Sequence, residues 1–154
     1  MIPTRKNTHN PPTTEVRGGF PVHYLYTAGN FGEKFLYGLK DQKLLATTCG
    51  SCNRTYLPAV MFCEDCFDEL SLDNFKEVGP SAELFSFTEV HVDHRGDPLD
   101  KPYYLGLIKV EGTSTTFFHK LVNITEPKIG MKLKPSWNSQ RSGTIFDLNG
   151  FESN

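Results

Sequence analysis

All four cysteines of this 154-residue chain lie in one stretch, CGSCNRTYLPAVMFCEDC at positions 49–66, as two C-x-x-C pairs with ten residues between Cys52 and Cys63. A C-x-x-C turn aims two sulfurs the same way. Two such turns facing each other across a short hairpin complete a tetrahedron around Zn2+ at about 2.3 Å per bond. The spacing therefore predicts a zinc ribbon with one ion held by Cys49, Cys52, Cys63 and Cys66. Iron in a rubredoxin-like site would use the same four ligands. Redox chemistry at a C-x-x-C pair belongs beside a thioredoxin-type βαβ pattern, and the strand-helix alternation that would signal one is missing here. Four protein ligands leave no open coordination position, so the metal is expected to hold the fold and perform no chemistry.

The state of the thiols follows from the compartment. No stretch approaches the roughly 18 consecutive apolar residues of a membrane helix. The first nineteen residues, rich in Pro, Thr, Asn and Arg, lack the apolar core of a secretory signal and read as a flexible arm. A cytoplasmic location is expected, where thiols stay reduced and disulfides are disfavoured.

Around the cysteines the chain divides into a polar tail (1–20), a helical segment (21–46), the zinc ribbon (47–78) and a β-rich remainder (79–154). The helix is predicted from residue 30 to residue 44, with Asn30 as N-cap and Glu33 completing a capping box. Phe31, Phe35 and Leu39 recur at helical spacing with Leu36 beside them, an apolar stripe that must lie against its own domain or a partner. Gly38 interrupts the pattern. Beyond the ribbon the period changes to two. Residues 83–92, 103–110, 115–122, 131–137 and 144–151 are five short β runs, Glu111-Gly112 marks a hairpin, and 93–102 is a polar loop. Five strands in about seventy residues fit an OB-type barrel; an SH3-like barrel or a short sandwich has similar periodicity. The predicted fold is mainly β with an N-terminal helix, a rubredoxin-like zinc ribbon followed by a five-stranded OB-fold barrel.

In this order the chain resembles the acyl-CoA-associated zinc-ribbon and OB-fold proteins catalogued as domain of unknown function thirty-five. The resemblance runs from about residue 24 to the end. It rests on YTAG (26–29), EKFLYGLK (33–40), the four cysteines, LPAVMFCEDCFDEL (57–70), FKEVG (75–79), SFTEV (86–90) and IGMKLK (129–134). Asn53 stands where the family's first knuckle often carries Gly, and Asn tolerates the left-handed conformation that such a turn needs. Members look like accessory subunits of thiolase-fold enzymes. The resemblance thus implies a thiolase-fold partner, a symmetric assembly such as two plus two, and CoA or acyl-CoA as a ligand of the complex. It implies a non-catalytic subunit supporting assembly and turnover of a bulky or aromatic acyl-CoA. The residues agree. A thiolase needs a free nucleophilic cysteine, and the four thiols here are committed to one site. No nucleophile elbow, phosphate-binding loop or dinucleotide fingerprint occurs.

Charge sharpens these expectations. The net charge is −2, yet residues 117–146 hold five bases (Lys120, Lys128, Lys132, Lys134 and Arg141) against one acid, Glu126. Lys132 and Lys134 alternate with apolar residues and should share a face, where with the other three they could hold CoA phosphates; an ordinary solvated barrel face is the plainer reading. Phe31, Phe35, Leu36 and Leu39 are the expected partner interface. His91, Asp93 and His94 read as exposed loop residues rather than a second metal site, and His119 as a packed histidine rather than a base. The rival function is single-stranded nucleic-acid binding, which stacks bases on aromatics in a positive groove. From residue 80 onward, however, eight bases face nine acids, where a general binder should be basic. An independent metal hydrolase is disfavoured because it needs an open metal site.

Overall fold

The structure is a computed structural model and describes residues 26–154. The expected flexible arm at 1–20, and the start of the segment assigned to 21–46, lie outside the described residues. Among those residues no helix is long and apolar enough to cross a membrane.

Helix α1 spans Gly29–Lys40. It begins one residue before the expected cap, with Ala28 at the N-cap and no side-chain cap bond. The Gly29 N–H is taken instead by Thr27 Oγ1 at 3.2 Å, so Asn30 lies within the first turn and the capping box from Asn30 to Glu33 does not form. The C-terminal end is also earlier than expected. Asp41 N donates to both Tyr37 O and Gly38 O, Lys43 N donates to Gly38 O at 2.8 Å, and Gln42 takes φ 61°. A left-handed residue just past the last turn stops a helix. Leu44 is therefore not helical but opens strand β1 (Leu44–Thr48).

Strand β1 is the centre of a three-stranded antiparallel sheet between β2 (Thr55–Tyr56) and β3 (Phe75–Val78). The Gly38 that interrupts the helical pattern has its reason here. A Cβ at that position would fall 2.6 Å from Leu45 Cγ, so glycine lets α1 lie close on β1.

The remaining strands, β4 (Ala82–Val92), β5 (Pro98–Val110), β6 (Phe117–Leu121), β7 (Lys132–Trp137) and β8 (Leu148–Ser153), close into a barrel in the order β4-β5-β6-β8-β7. Inward residues Leu84, Ile108, Val110, Phe117, Leu121, Leu133, Leu148 and Phe151 fill it. This is the expected OB-type barrel, with two differences at the loops. The second half of the stretch 93–102 is strand, part of β5. Asp93 Oδ1 accepts from Arg95 N (2.8 Å) and Asp97 N (2.9 Å), making a tight turn that lets Val92 pair with Pro98. The expected fifth run starts as a 3-10 turn at Ile145–Asp147, because the buried Asp147 carboxylate gathers Ser142 N, Gly143 N and the Thr144 hydroxyl.

Helix, ribbon base and barrel share one apolar core. Phe35 and Leu39 of α1, Leu44 and Ala46 of β1, and Leu57 join the barrel residues in it. The ribbon is stitched to the β5–β6 loop as well: Ser114 N donates to Thr55 O at 2.7 Å, and Thr115 Oγ1 accepts from Leu57 N and donates to Leu57 O, each at 3.0 Å. The tip of the ribbon is separate, with Cys49, Tyr56, Cys63 and Leu70 as its own small buried cluster.

Candidate metal centre

The two C-x-x-C turns are built alike. In the first, Asn53 N donates to Cys49 O and Cys49 N to Arg54 O; in the second, Phe67 N donates to Cys63 O and Cys63 N to Asp68 O. Asn53 and Phe67, each just after the second cysteine, hold φ 61° and 62°. The knuckles are tied crosswise by equivalent positions: Ser51 of the first bonds Asp68 of the second, and Asp65 of the second pairs with Arg54 of the first. The result is a local two-fold relation with the four sulfurs at its centre.

Those sulfurs all lie within 4.8 Å of one another. Cys49 Sγ is 3.5 Å from Cys66 Sγ, and Cys52 Sγ is 3.4 Å from Cys63 Sγ. A tetrahedron with metal–sulfur bonds of 2.3 Å requires edges of about 3.8 Å. The cluster thus matches a four-thiolate ion site, and no disulfide joins the sulfurs. It is the one group of three or more potential metal ligands among the described residues.

Electrostatics point the same way. The Tyr56 hydroxyl is 3.1 Å from Cys63 Sγ while accepting from Glu64 N at 3.2 Å. That hydrogen bond, working against burial and helped by the backbone N–H groups of Cys66 and Asp65, brings the Cys63 thiol down to about 6. The same contact pushes the Tyr56 phenol up to about 12. At Cys66 the Asp68 N–H favours the thiolate, but the sulfurs of Cys63 and Cys49 outweigh it and the thiol rises to about 12. Cys52 is likewise raised: the Arg54 N–H favours its thiolate, and Cys63 and burial overcome it. Four sulfurs this close cannot all carry charge against one another. A divalent cation at their centre removes the repulsion.

The other sequence-predicted residues are scattered. Lys132 pairs with Glu83 (2.6 Å) and Lys134 with Glu152 (3.8 Å). They do share the outer face of β7, but with a carboxylate each. Arg141 is turned inward: its Nε donates to Lys40 O at 2.8 Å, holding the end of α1, and Nη1 donates to Asn138 O. Lys120 of β6 lies 4.7 Å above the Tyr103 ring of β5, and Lys128 is exposed in the β6–β7 connection. The five bases thus form no single cluster.

The apolar stripe of α1 is covered by the chain itself. Phe35 and Leu39 are buried, Leu36 packs on the same core, and Phe31 meets Phe75 with ring centroids 5.4 Å apart. Phe35 and Leu39 are thus spent on the chain's own core, whereas Phe31 and Leu36, expected with them at a partner interface, keep part of their surface exposed. His91 pairs with Glu89 (3.2 Å) and Asp93 shapes its turn, so HVDH assembles no second metal site.

His119 packs as expected, but the groove above it was not legible in the sequence. His119 is wedged between the Phe117 and Phe151 rings, its Nδ1 buried without a hydrogen-bond partner. Burial holds its pKa below the ordinary value. It opens on a groove of about 480 Å³ lined by Leu105, Phe118, Lys120, Ile145 and Phe146 among others. Period two placed His119 on a strand, but only barrel closure brings residues 145 and 146 over it.

A ribbon tip with four converging sulfurs, stitched to a five-stranded barrel, defines a zinc-ribbon and OB-fold protein. Residues 38–72 match the family model of the ChsH2 rubredoxin-like zinc ribbon domain, and residues 75–138 that of the ChsH2 C-terminal OB-fold domain. The two matches together cover more than half of the chain, which belongs to the ChsH2, or DUF35, family. Among solved structures, a protein of unknown function from the DUF35 family of Sulfolobus solfataricus is similar at 26% identity, with a TM-score of 0.63 over 82% of this chain and 87% of that one. A chain of the Ltp2-ChsH2(DUF35) aldolase has the same fold, at 18% identity and a TM-score of 0.58 over 78% of this chain and 91% of that one. A comparison with curated protein sequences finds no match.

Proposed function

We propose that this chain is a non-catalytic accessory subunit of a thiolase-fold acyl-CoA enzyme, holding one structural zinc and working in the cytoplasm. The observation that carries the reading is the pairing of both ChsH2 domains in one chain, since the similar fold in the Ltp2-ChsH2(DUF35) aldolase sits in a complex with an enzyme subunit. The gathered sulfurs support it. Each cysteine faces the same point, so the nucleophilic thiol of thiolase chemistry would come from the partner. The partner has the thiolase fold, the assembly is two plus two, and the substrate is a bulky or aromatic acyl-CoA. A division at residue 78 then separates the ribbon, with β1 (Leu44–Thr48) as its central strand, from the barrel. Of the five bases considered for CoA, Lys120 and Lys128 have no carboxylate partner among the described residues and remain the candidates for its phosphates. Lys132 and Lys134 would first have to leave Glu83 and Glu152.

Co-expression with a thiolase-fold subunit followed by size-exclusion chromatography tests this reading. Co-elution at equal stoichiometry, with thiolytic or aldol turnover only in the complex, is expected. Turnover by this chain alone, lost on a point mutation within it, would make it an enzyme. Preference for single-stranded DNA or RNA, with affinity falling steeply in salt, would make it a nucleic-acid binder.

A further inference from the structure

The two knuckles differ at one matched position. After the second cysteine the first knuckle has Asn53 and the second has Phe67, both in the left-handed region at φ 61° and 62°. Asn visits that region readily, whereas a bulky aromatic there is a genuine outlier. Phe67 gains nothing inside the chain for its strain. It is 81% exposed and stacks on no other ring among the described residues. The left-handed turn belongs to the knuckle, closed by Phe67 N on Cys63 O, but nothing in the knuckle calls for an aromatic side chain there, and a costly residue kept at such a position points to function.

Its surroundings say what it meets. Phe67 sits at the tip of the hairpin Met61–Leu70, where Leu70 N donates to Met61 O and Phe62 pairs with Glu69. Met61 and Phe62 are each about half exposed. Glu64, Asp65, Asp68 and Glu69 are exposed around them, no Lys or Arg occurs from residue 55 to residue 75, and Arg54 is taken by Asp65. Four thiolates around a divalent ion would add a net charge of −2 at the same tip. An apolar point ringed by negative charge repels nucleic acid and anionic membrane alike.

We propose that the second knuckle is the docking point for the enzyme subunit, with Phe67 as anchor and Met61 and Phe62 beside it. They insert into an apolar pocket of that protein rimmed by Lys and Arg. This rests on the accessory-subunit reading and relocates its interface from α1 to the ribbon tip. The partner's basic rim accounts for the acids, and the pocket accounts for an aromatic where Asn would be free of strain.

The test uses the full chain with its co-expressed thiolase-fold subunit. Phe67→Gly should weaken the complex at least tenfold while zinc content is unchanged and the melting temperature of the isolated chain rises by a few degrees. Glu64→Lys with Glu69→Lys should slow association and flatten its dependence on salt. If the wild type binds and Phe67→Gly binds equally well, the knuckle assignment is overturned and the accessory reading stands. A fall in melting temperature would also overturn the assignment, since Phe67 would then be holding the ribbon together. If the wild type binds no thiolase-fold subunit, both readings fall.

Discussion

The barrel and the ribbon tip solve the same problem with different means. The barrel buries Leu84, Ile108, Val110, Phe117, Leu121, Leu133, Leu148 and Phe151, and borrows Phe35 and Leu39 from the helix. Burying each such side chain contributes roughly 1.5–3 kcal/mol. The tip buries Cys49, Tyr56, Cys63 and Leu70, and two of those four are thiols that repel once ionised. One region is held by apolar area and the other must be held by a cation. A small lobe with little core can be rigid only if something outside the polypeptide closes it.

Removing the metal should break this contrast most visibly. Metal-binding energy in such modules is largely folding energy. Cys63→Ser, or chelation, should therefore abolish amide-exchange protection across residues 49–70 while β4–β8 stay protected. Elemental analysis of the untreated protein should find one zinc per chain; stoichiometric iron would change the metal but not the site. Equal loss of protection in the barrel would show that the two regions are one cooperative unit.

The reverse experiment acts on the shared core. Leu39→Ala should cost about 2–5 kcal/mol in denaturant unfolding with the zinc still bound, because Leu39 is fully buried against the barrel side of the chain. An exposed docking residue would show almost no effect.

A smaller change concerns the shell of the site. Tyr56→Phe removes the hydroxyl that supports the Cys63 thiolate. It should weaken metal affinity by roughly 10- to 100-fold in a chelator competition, leaving the barrel untouched.

The smallest effect belongs to the barrel alone. Burial lowers the His119 pKa in the folded chain, so the unfolded chain takes up the proton first as pH falls. The stability of the neutral, packed ring is fully present above the unfolded value near 6.5 and declines below it until the folded form also protonates. Unfolding midpoints from pH 8 to pH 5 should show this slope, and His119→Phe should remove it.

Much of the molecule was legible because it depends on near neighbours. Two C-x-x-C pairs ten residues apart declare their ligands through turn geometry, and the five period-two runs declare strands through alternation along the chain. The loop at 93–102 misled because Asp93 folds its first half into a tight turn through its own side chain, leaving residues 98–102 free to be strand. Helix termini were misplaced by a residue or more for a similar reason. Thr27 and Gln42 compete for backbone groups that Asn30 and Leu44 were expected to command.

By itself, then, the sequence determined the convergence of the four cysteines, the existence of the five barrel strands along the chain, and the family. Tertiary structure alone decided which surfaces are spent and which are left. The apolar stripe of α1 had either its own domain or a partner to lie against until packing buried Phe35 and Leu39 in the shared core, and Lys132, Lys134 and Arg141 looked like a basic patch until Glu83, Glu152 and the Lys40 carbonyl claimed them. Phe67 looked ordinary until its backbone angle and its exposure were known together. Spacing reports contacts within a turn or a strand. The partners of Lys134, Lys132 and Arg141 lie 18, 49 and 101 positions away, which only the closed barrel and its docked helix bring into reach.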